Sequence, residues 1–240
     1  LRAVSSMAEQ GDTVRGVPKT VAIVGAGPSG LAACKAALEE GLLPTVFETA
    51  AGLGGLWRSD ASGKVWNCMR TNLSKYTCAF SDQPWPAHVP DFPAASEVEA
   101  YLRGFAEDNG LLQHIRFGAR VVALEPSEGV GESRCTVTWE PVVLGSGVGA
   151  GAGVDASGGG ACTESFDFGV VASGVFSKSH LPDLAGLRGF AGQLSHASAY
   201  REPGPFEGKR VLVVGAAFSG ADIAADIATT AASVVVAARR

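Results

Sequence analysis

Val21-Ala22-Ile23-Val24-Gly25-Ala26-Gly27-Pro28-Ser29-Gly30 decides the fold. It is an apolar strand entering a G-x-G-x-x-G turn that opens a helix. The three glycines have separate duties. Gly25 permits the tight turn, Gly27 lets the backbone approach a pyrophosphate, and Gly30 lets the helix pack closely on the strand. The helix start, with Pro28 and Ser29, presents free N–H groups and partial positive charge to phosphates.

Working outward, Thr20–Val24 is continuously apolar, as a parallel strand buried on both faces requires. Residues 29–40 read as a helix with Gly41 as its C-terminal cap. Residues 44–48 read as a second strand, which completes a βαβ unit. Glu48 ends that strand about 20 residues after the turn, where a carboxylate accepts ribose hydroxyls and repels a 2′-phosphate. The site is therefore expected to take the ADP half of FAD or NAD. The competing reading, a glycine turn of an unrelated α/β fold, leaves the register of strand, helix, strand and Glu48 unexplained. Gly52-Leu53-Gly54-Gly55-Leu56-Trp57-Arg58 follows directly. Gly55, Leu56 and Trp57 are candidates for a loop closing over the same cofactor; the alternative is an ordinary loop with Trp57 in the core.

The frame recurs at Val211-Leu212-Val213-Val214-Gly215-Ala216-Ala217-Phe218-Ser219-Gly220. Gly215, Ala217, Ser219 and Gly220 are the candidate contacts, and the methyl of Ala217 replaces the middle glycine. The following strand, residues 233–238, has no terminal acid, and Arg239 and Arg240 stand at the ribose position. A guanidinium there suits a 2′-phosphate; a solvated basic turn is the alternative. The expectation is FAD at the first site and NADPH at the second, with electrons passing between them.

The rest of the chain fits an α/β protein with two Rossmann-like dinucleotide-binding domains, the second truncated. Residues 1–18 form a disordered lead-in, and residues 19–180 a FAD-binding domain with a Gly-rich insertion at 144–160. Residues 181–206 are a linker, and residues 207–240 begin an NADPH-binding domain. Within the first domain, residues 51–95 lack periodicity. Residues 96–109 form a helix capped by Ser96, with Val98, Tyr101, Leu102 and Phe105 on one face. Residues 121–125, 135–143 and 166–172 are strand-like, and Gly174, which ends the last, is a further candidate cofactor contact.

Composition narrows the function. Net charge is −5, with 46% hydrophobic and 18% charged residues, which gives no general affinity for nucleic acid. No apolar run approaches a membrane span, and no secretory leader is visible. The five cysteines are dispersed without C-x-x-C, the pattern of reduced thiols in a cytoplasmic protein. No metal-ligand spacing is present. Leu1 opens the chain and Met7 can serve as a start, so both ends read as limits of a gene model.

Phe190-Ala191-Gly192-Gln193-Leu194-Ser195-His196-Ala197-Ser198-Ala199-Tyr200-Arg201 has the form F-x-G-x-x-x-H-x-x-x-Y-R. It resembles the identifying motif of flavin-containing monooxygenases. Tyr200-Arg201, in place of Trp-Pro, resembles the branch that oxygenates nitrogen and sulfur rather than the Baeyer–Villiger branch. Gly54-Gly55-Leu56-Trp57-Arg58 is similar to that family's second glycine element. Arg70-Thr71-Asn72-Leu73-Ser74-Lys75 and Phe80-Ser81-Asp82-Gln83-Pro84-Trp85-Pro86 are similar to its T-N-x-S-K and F-S-D-x-P segments.

The resemblance implies that NADPH reduces FAD and that reduced flavin with O₂ forms a C4a-hydroperoxyflavin. Retained NADP⁺ shields it, and a small-molecule amine, sulfide or thiol takes the distal oxygen. It implies Asn72 as the catalytic side chain at the flavin edge, and a structural, domain-linking role for His196. Arg70 and Lys75 suit a phosphate or a solvated surface equally. The remainder of both domains would lie after Arg240, where an endoplasmic-reticulum attachment would also belong. The chain alone is expected to be poorly soluble and weakly active. A different two-dinucleotide flavoprotein and an inactive nucleotide-binding remnant are the competing readings.

Overall fold

The computed structural model describes residues 17–59, 63–127, 134–142, 160–176 and 178–238. Most of the expected lead-in, nearly all of the Gly-rich insertion, and Arg239 and Arg240 lie outside the described residues.

β1 (Thr20–Val24) leads into α1 (Pro28–Glu39), which returns to β2 (Leu43–Glu48). Pro28 occupies the first turn of α1, where its missing N–H costs nothing. The helix ends where expected. Gly41 has φ +72°, its N–H bonds Leu38 O at 3.0 Å, and Leu42 N–H bonds Ala37 O at 2.9 Å. This pair of bonds is the Schellman termination.

The main sheet is parallel, in the order β3-β2-β1-β7, with β3 at Ile115–Phe117 and β7 at Phe168–Val171. Its two faces are covered differently. Val21, Ile23 and Val46 meet α1 and α2 (Ala95–Asp108), around Leu31, Leu102 and Phe105. Ala22 and Phe47 point the other way, into an antiparallel meander of β4 (Ala119–Ser127), β5 (Arg134–Pro141) and β6 (Cys162–Phe166), against Val137, Trp139 and Phe166. Burial on both faces is why β1 reads as an unbroken apolar run. Ile23 and Leu31 are completely buried. Each such side chain contributes about 1.5–3 kcal/mol.

Two expectations are corrected. Ser96 does not cap α2. The helix starts at Ala95, and the Glu97 carboxylate reaches back to accept the Ala94 N–H at 2.7 Å. A glutamate at the third helical position thus serves the orphan amide, and Ser96 lies inside the first turn. Residues 166–172 are not one strand either. Asp167 breaks them, accepting the Thr20 N–H at 2.8 Å, so β6 joins the meander and β7 the parallel sheet.

A second βαβ start follows, of β8 (Arg210–Val214), α3 (Phe218–Ile227) and β9 (Ser233–Ala237), with β8 and β9 parallel. Ile223 and Ile227 pack with Trp66 and Tyr200, and Val211 and Val234 join them. On the far face Leu212, Val214 and Val235 are exposed. Among the described residues no helix is long and apolar enough to cross a membrane.

Thiol accessibility tests this arrangement. Cys68 and Cys162 are exposed, whereas Cys34 and Cys135 are buried, and burial pushes the Cys34 thiol up to about 11. A colorimetric disulfide reagent at pH 8 is expected to react rapidly with Cys162 and more slowly with Cys68, whose thiol is held above its ordinary range by desolvation and then by Asp226. Cys34 and Cys135 should respond only after denaturant is added. Rapid labelling of Cys34 in the folded chain would contradict the core described.

Candidate functional site

The C-terminal ends of β1, β2 and β7 open on one cleft of about 480 Å³. Gly25, Gly27, Pro28 and Ser29 line it, together with Glu48, with Gly55, Leu56 and Trp57, and with Gly174. Nine expected contacts therefore share one cleft, at the strand ends where ligands of open α/β sheets bind. Gly30 lies behind it, and its duty is packing: a Cβ there would sit 1.8 Å from Gly25 O.

Gly25 has φ +104°, and an added Cβ would meet Ala172 O at 2.6 Å. Gly27 is different. Its φ of −79° suits any residue, and an added Cβ would meet Gly55 Cα at 3.6 Å, an ordinary contact. Gly55, with φ +57°, brings its backbone so close that a Cβ would lie 3.0 Å from Gly27 Cα. Two bare backbones thus face each other in the cleft. A phosphate needs such a surface, together with the N–H groups of the first helical turn that find no carbonyl within the helix. No acid stands in the first turn of α1 to oppose an anion. The cradle fits a dinucleotide pyrophosphate.

Glu48 holds this geometry as well as facing the cleft. Its Oε2 accepts the Ala26 N–H at 2.8 Å, and its Oε1 accepts the Ala50 N–H at 2.9 Å. Each carboxylate oxygen keeps a lone pair for a ribose hydroxyl. Trp57 satisfies both sequence readings, because it lines the cleft and packs on the first core. Arg58, Lys64, Val121 and Phe176 also line the cleft and were not among the expected contacts. Arg58 closes the G-G-L-W-R run, which is a usable signal. Val121 arrives from the meander and Lys64 from an irregular loop, where it donates to Phe176 O; local sequence carries no sign of either.

Asn72 does not line this cleft. It is exposed, on a turn held at both sides. The Thr71 N–H bonds Pro93 O at 2.9 Å, and the Lys75 N–H bonds Asp91 O at 2.7 Å. Lys75 faces neither phosphate nor solvent: it is buried, donating to Val89 O. Arg70 donates to Phe92 O at 3.1 Å. The F-S-D-Q-P-W-P stretch is a strap. Phe80 stacks on Phe105 at 3.8 Å and Trp85 on Tyr101 at 4.0 Å, while Asp82 pairs with Lys35 of α1 at 2.7 Å.

The second turn repeats the first in backbone terms. Gly215 has φ +107°, and a Cβ on Gly220 would sit 2.1 Å from Gly215 O. Gly215 N–H bonds Ala237 O at 2.8 Å, as Gly25 N–H bonds Phe47 O at 2.8 Å. Ala238 therefore stands where Glu48 stands in the first unit. Ala217 has φ −74° and is exposed, so its methyl is accommodated without backbone strain. Ser219 is exposed beside it. His196 Nδ1 stays local, accepting the Ser198 N–H at 3.1 Å, while Phe190 folds its ring over Gly192.

A sequence model described as flavin-binding monooxygenase-like matches residues 18–240. The chain belongs to this family. It is 36% identical over 228 residues to flavin-containing monooxygenase 3 of Macaca mulatta, covering 92% of this chain and 40% of that protein. The structure of S-allyl-L-cysteine S-oxygenase from Allium sativum superposes with a TM-score of 0.78 at 27% identity, over 93% of this chain and 52% of that one. A steroid monooxygenase bound to NADP superposes at 0.64 with 29% identity, over 92% and 39% of the respective chains. The chain thus spans about two fifths of the length of its curated relatives.

Two glycine-to-alanine variants separate the roles of these positions. Gly30→Ala places a methyl against Gly25 O, and neither backbone has room to yield. It is expected to destabilise the fold by about 3 kcal/mol or more. Gly104→Ala, in α2 with nothing near its Cβ, should instead stabilise by about 0.5–1 kcal/mol. Urea unfolding measures both.

Proposed function

We propose that this chain is the dinucleotide-binding part of an NADPH-dependent flavin monooxygenase. It oxygenates a soft nitrogen or sulfur of a small molecule. In the overall reaction O₂ supplies one oxygen atom to the substrate and one to water, and NADPH supplies the two electrons. The carrying observation is the first cleft, where the opposed glycines, the α1 N-terminus and Glu48 converge. FAD in this cleft supplies the redox and oxygen chemistry, which no protein side chain can. Gly25, Gly27, Ser29 and Gly55 hold its pyrophosphate, and Glu48 accepts its ribose hydroxyls. Leu56, Trp57 and Gly174 close the walls, and Gly30 holds the turn in place.

NADPH is assigned to the second turn, at Gly215, Ala217, Ser219 and Gly220, with Arg239 and Arg240 at its 2′-phosphate. The register supports this, because Ala238 replaces the carboxylate that would repel that phosphate. Asn72 is assigned to the oxygen chemistry. Its turn is pinned by Thr71 and Lys75 while its side chain is exposed, and an amide can donate and accept without delivering an acidic proton. Ketone oxygenation is the second reading, favoured by the likeness to the steroid monooxygenase; Tyr200-Arg201 argues for nitrogen or sulfur.

The reading is tested with the flavin-loaded protein. NADPH consumption should accompany oxygen transfer to N,N-dimethylaniline or a thioether, and a cyclic ketone should remain unconverted. Ester formation from the ketone would establish the second reading. Failure to retain FAD would sink both. Replacing Arg239 and Arg240 by Ala should lower the preference for NADPH over NADH on the order of tenfold. Asn72→Ala should reduce product formed per NADPH and raise hydrogen peroxide; unchanged coupling would remove Asn72 from the chemistry.

A further inference from the structure

The expected link between the two units was His196, but among the described residues its ring bonds only Ser198. The bridging is done by the next residues along. Tyr200 is buried, and its hydroxyl donates to Asp226 Oδ2 on α3 at 2.6 Å. Its ring meets Trp66, from the irregular segment of the first unit, edge-on at 6.3 Å. Arg201 turns the opposite way. It donates to Gly63 O in that same segment, and its other nitrogen holds Ser198 O at 2.9 Å and Tyr200 O at 2.7 Å. The Asn67 N–H closes the arrangement on Arg201 O at 2.8 Å.

Two adjacent side chains therefore grip different bodies: Tyr200 holds α3 of the second unit, and Arg201 holds the loop that runs on from the first cleft. We infer that Tyr200, through Asp226, and Arg201, through Gly63, are positioning residues that lock the second dinucleotide turn at a fixed angle to the first. The chemistry suits a lock. A phenol donating to a carboxylate is a charge-assisted bond, short and directional, and here the donor ring is buried against Trp66 and Phe206. Burial, and after it the Asp226 carboxylate, hold the phenol above its ordinary range, so the donor proton is retained. The functional consequence, that the lock sets the reach of a nicotinamide to a flavin, rests on the reading above.

Hydrogen exchange on the chain without nucleotide tests the lock itself. In Tyr200→Phe, which keeps the ring, the Asn67 amide should exchange on the order of tenfold faster. Ile23 in β1 and Gly208, whose N–H bonds Thr230 O inside the second unit, should keep their rates. Asp226→Ala should match Tyr200→Phe, and the double variant should be no worse than either. Asp226→Asn, which retains an acceptor oxygen, should lie nearer the parent. An unchanged Asn67 rate, or additive effects in the double variant, would overturn the lock. So would acceleration at Ile23 in both single variants, because these residues would then be ordinary core. With flavin bound, Tyr200→Phe should leave FAD affinity within about twofold and slow flavin reduction by NADPH on the order of tenfold. A chain that never binds FAD defeats the proposed function and leaves the exchange result to judge the lock alone.

Discussion

The peptide group of Ala26 is held from both sides, and the first site depends on that. Its N–H is bound by Glu48 Oε2 at 2.8 Å, and its carbonyl accepts the Gly54 N–H at 2.9 Å. One carboxylate thereby fixes the turn after β1, and one amide pins the second glycine element to that same turn. Gly27 and Gly55 face each other as a result, so closely that a Cβ on Gly55 would lie 3.0 Å from Gly27 Cα. The distance from the phosphate cradle to the acid is thus set by backbone bonds. Such a site is organised before any ligand arrives, so binding spends little on ordering it.

The second unit shows what the turn looks like without that pin. Its skeleton is the same to within a few degrees at the first glycine and a few tenths of an ångström at the last. No carboxylate follows β9, and Ala217 is exposed. Backbone torsion therefore demands glycine at the middle position of the fingerprint in neither unit. An identical fold can in this way separate two cofactors by the charge at one strand end.

Much of the first unit was legible because its signals are local. β1, α1, β2 and the Gly41 termination follow from an apolar run, a glycine turn, helix composition and a cap, all within 30 residues or so of the fingerprint. Signals failed where tertiary competition decided. Ser96 is a good cap by type, but the helix starts before it and Glu97 reaches back to the Ala94 amide. The apolar stretch after Phe166 seemed continuous, but Asp167 was drawn to the Thr20 amide and sent its two halves to different sheets. The cleft walls supplied by Val121 and Lys64 come from chain distant in sequence, and no pattern near them announces it.

The same distinction explains why the motif ending in Tyr200-Arg201 could be recognised but not understood from sequence. Its residues are spaced for no helix or strand. The structure gives most of them small, separate tasks: a ring over a glycine at Phe190 and Gly192, a one-turn cap at His196, and two grips at Tyr200 and Arg201. The apolar contact between the units is a small cluster around Trp66, Tyr200, Ile223 and Ile227, distinct from the two cores of the first unit. A contact of that size favours relative motion. Directional bonds from rigid, buried side chains are the means of restraining such motion without enlarging the core. A polar motif in a linker is then what the architecture needs, because electrons can pass between two sites only if their separation is kept.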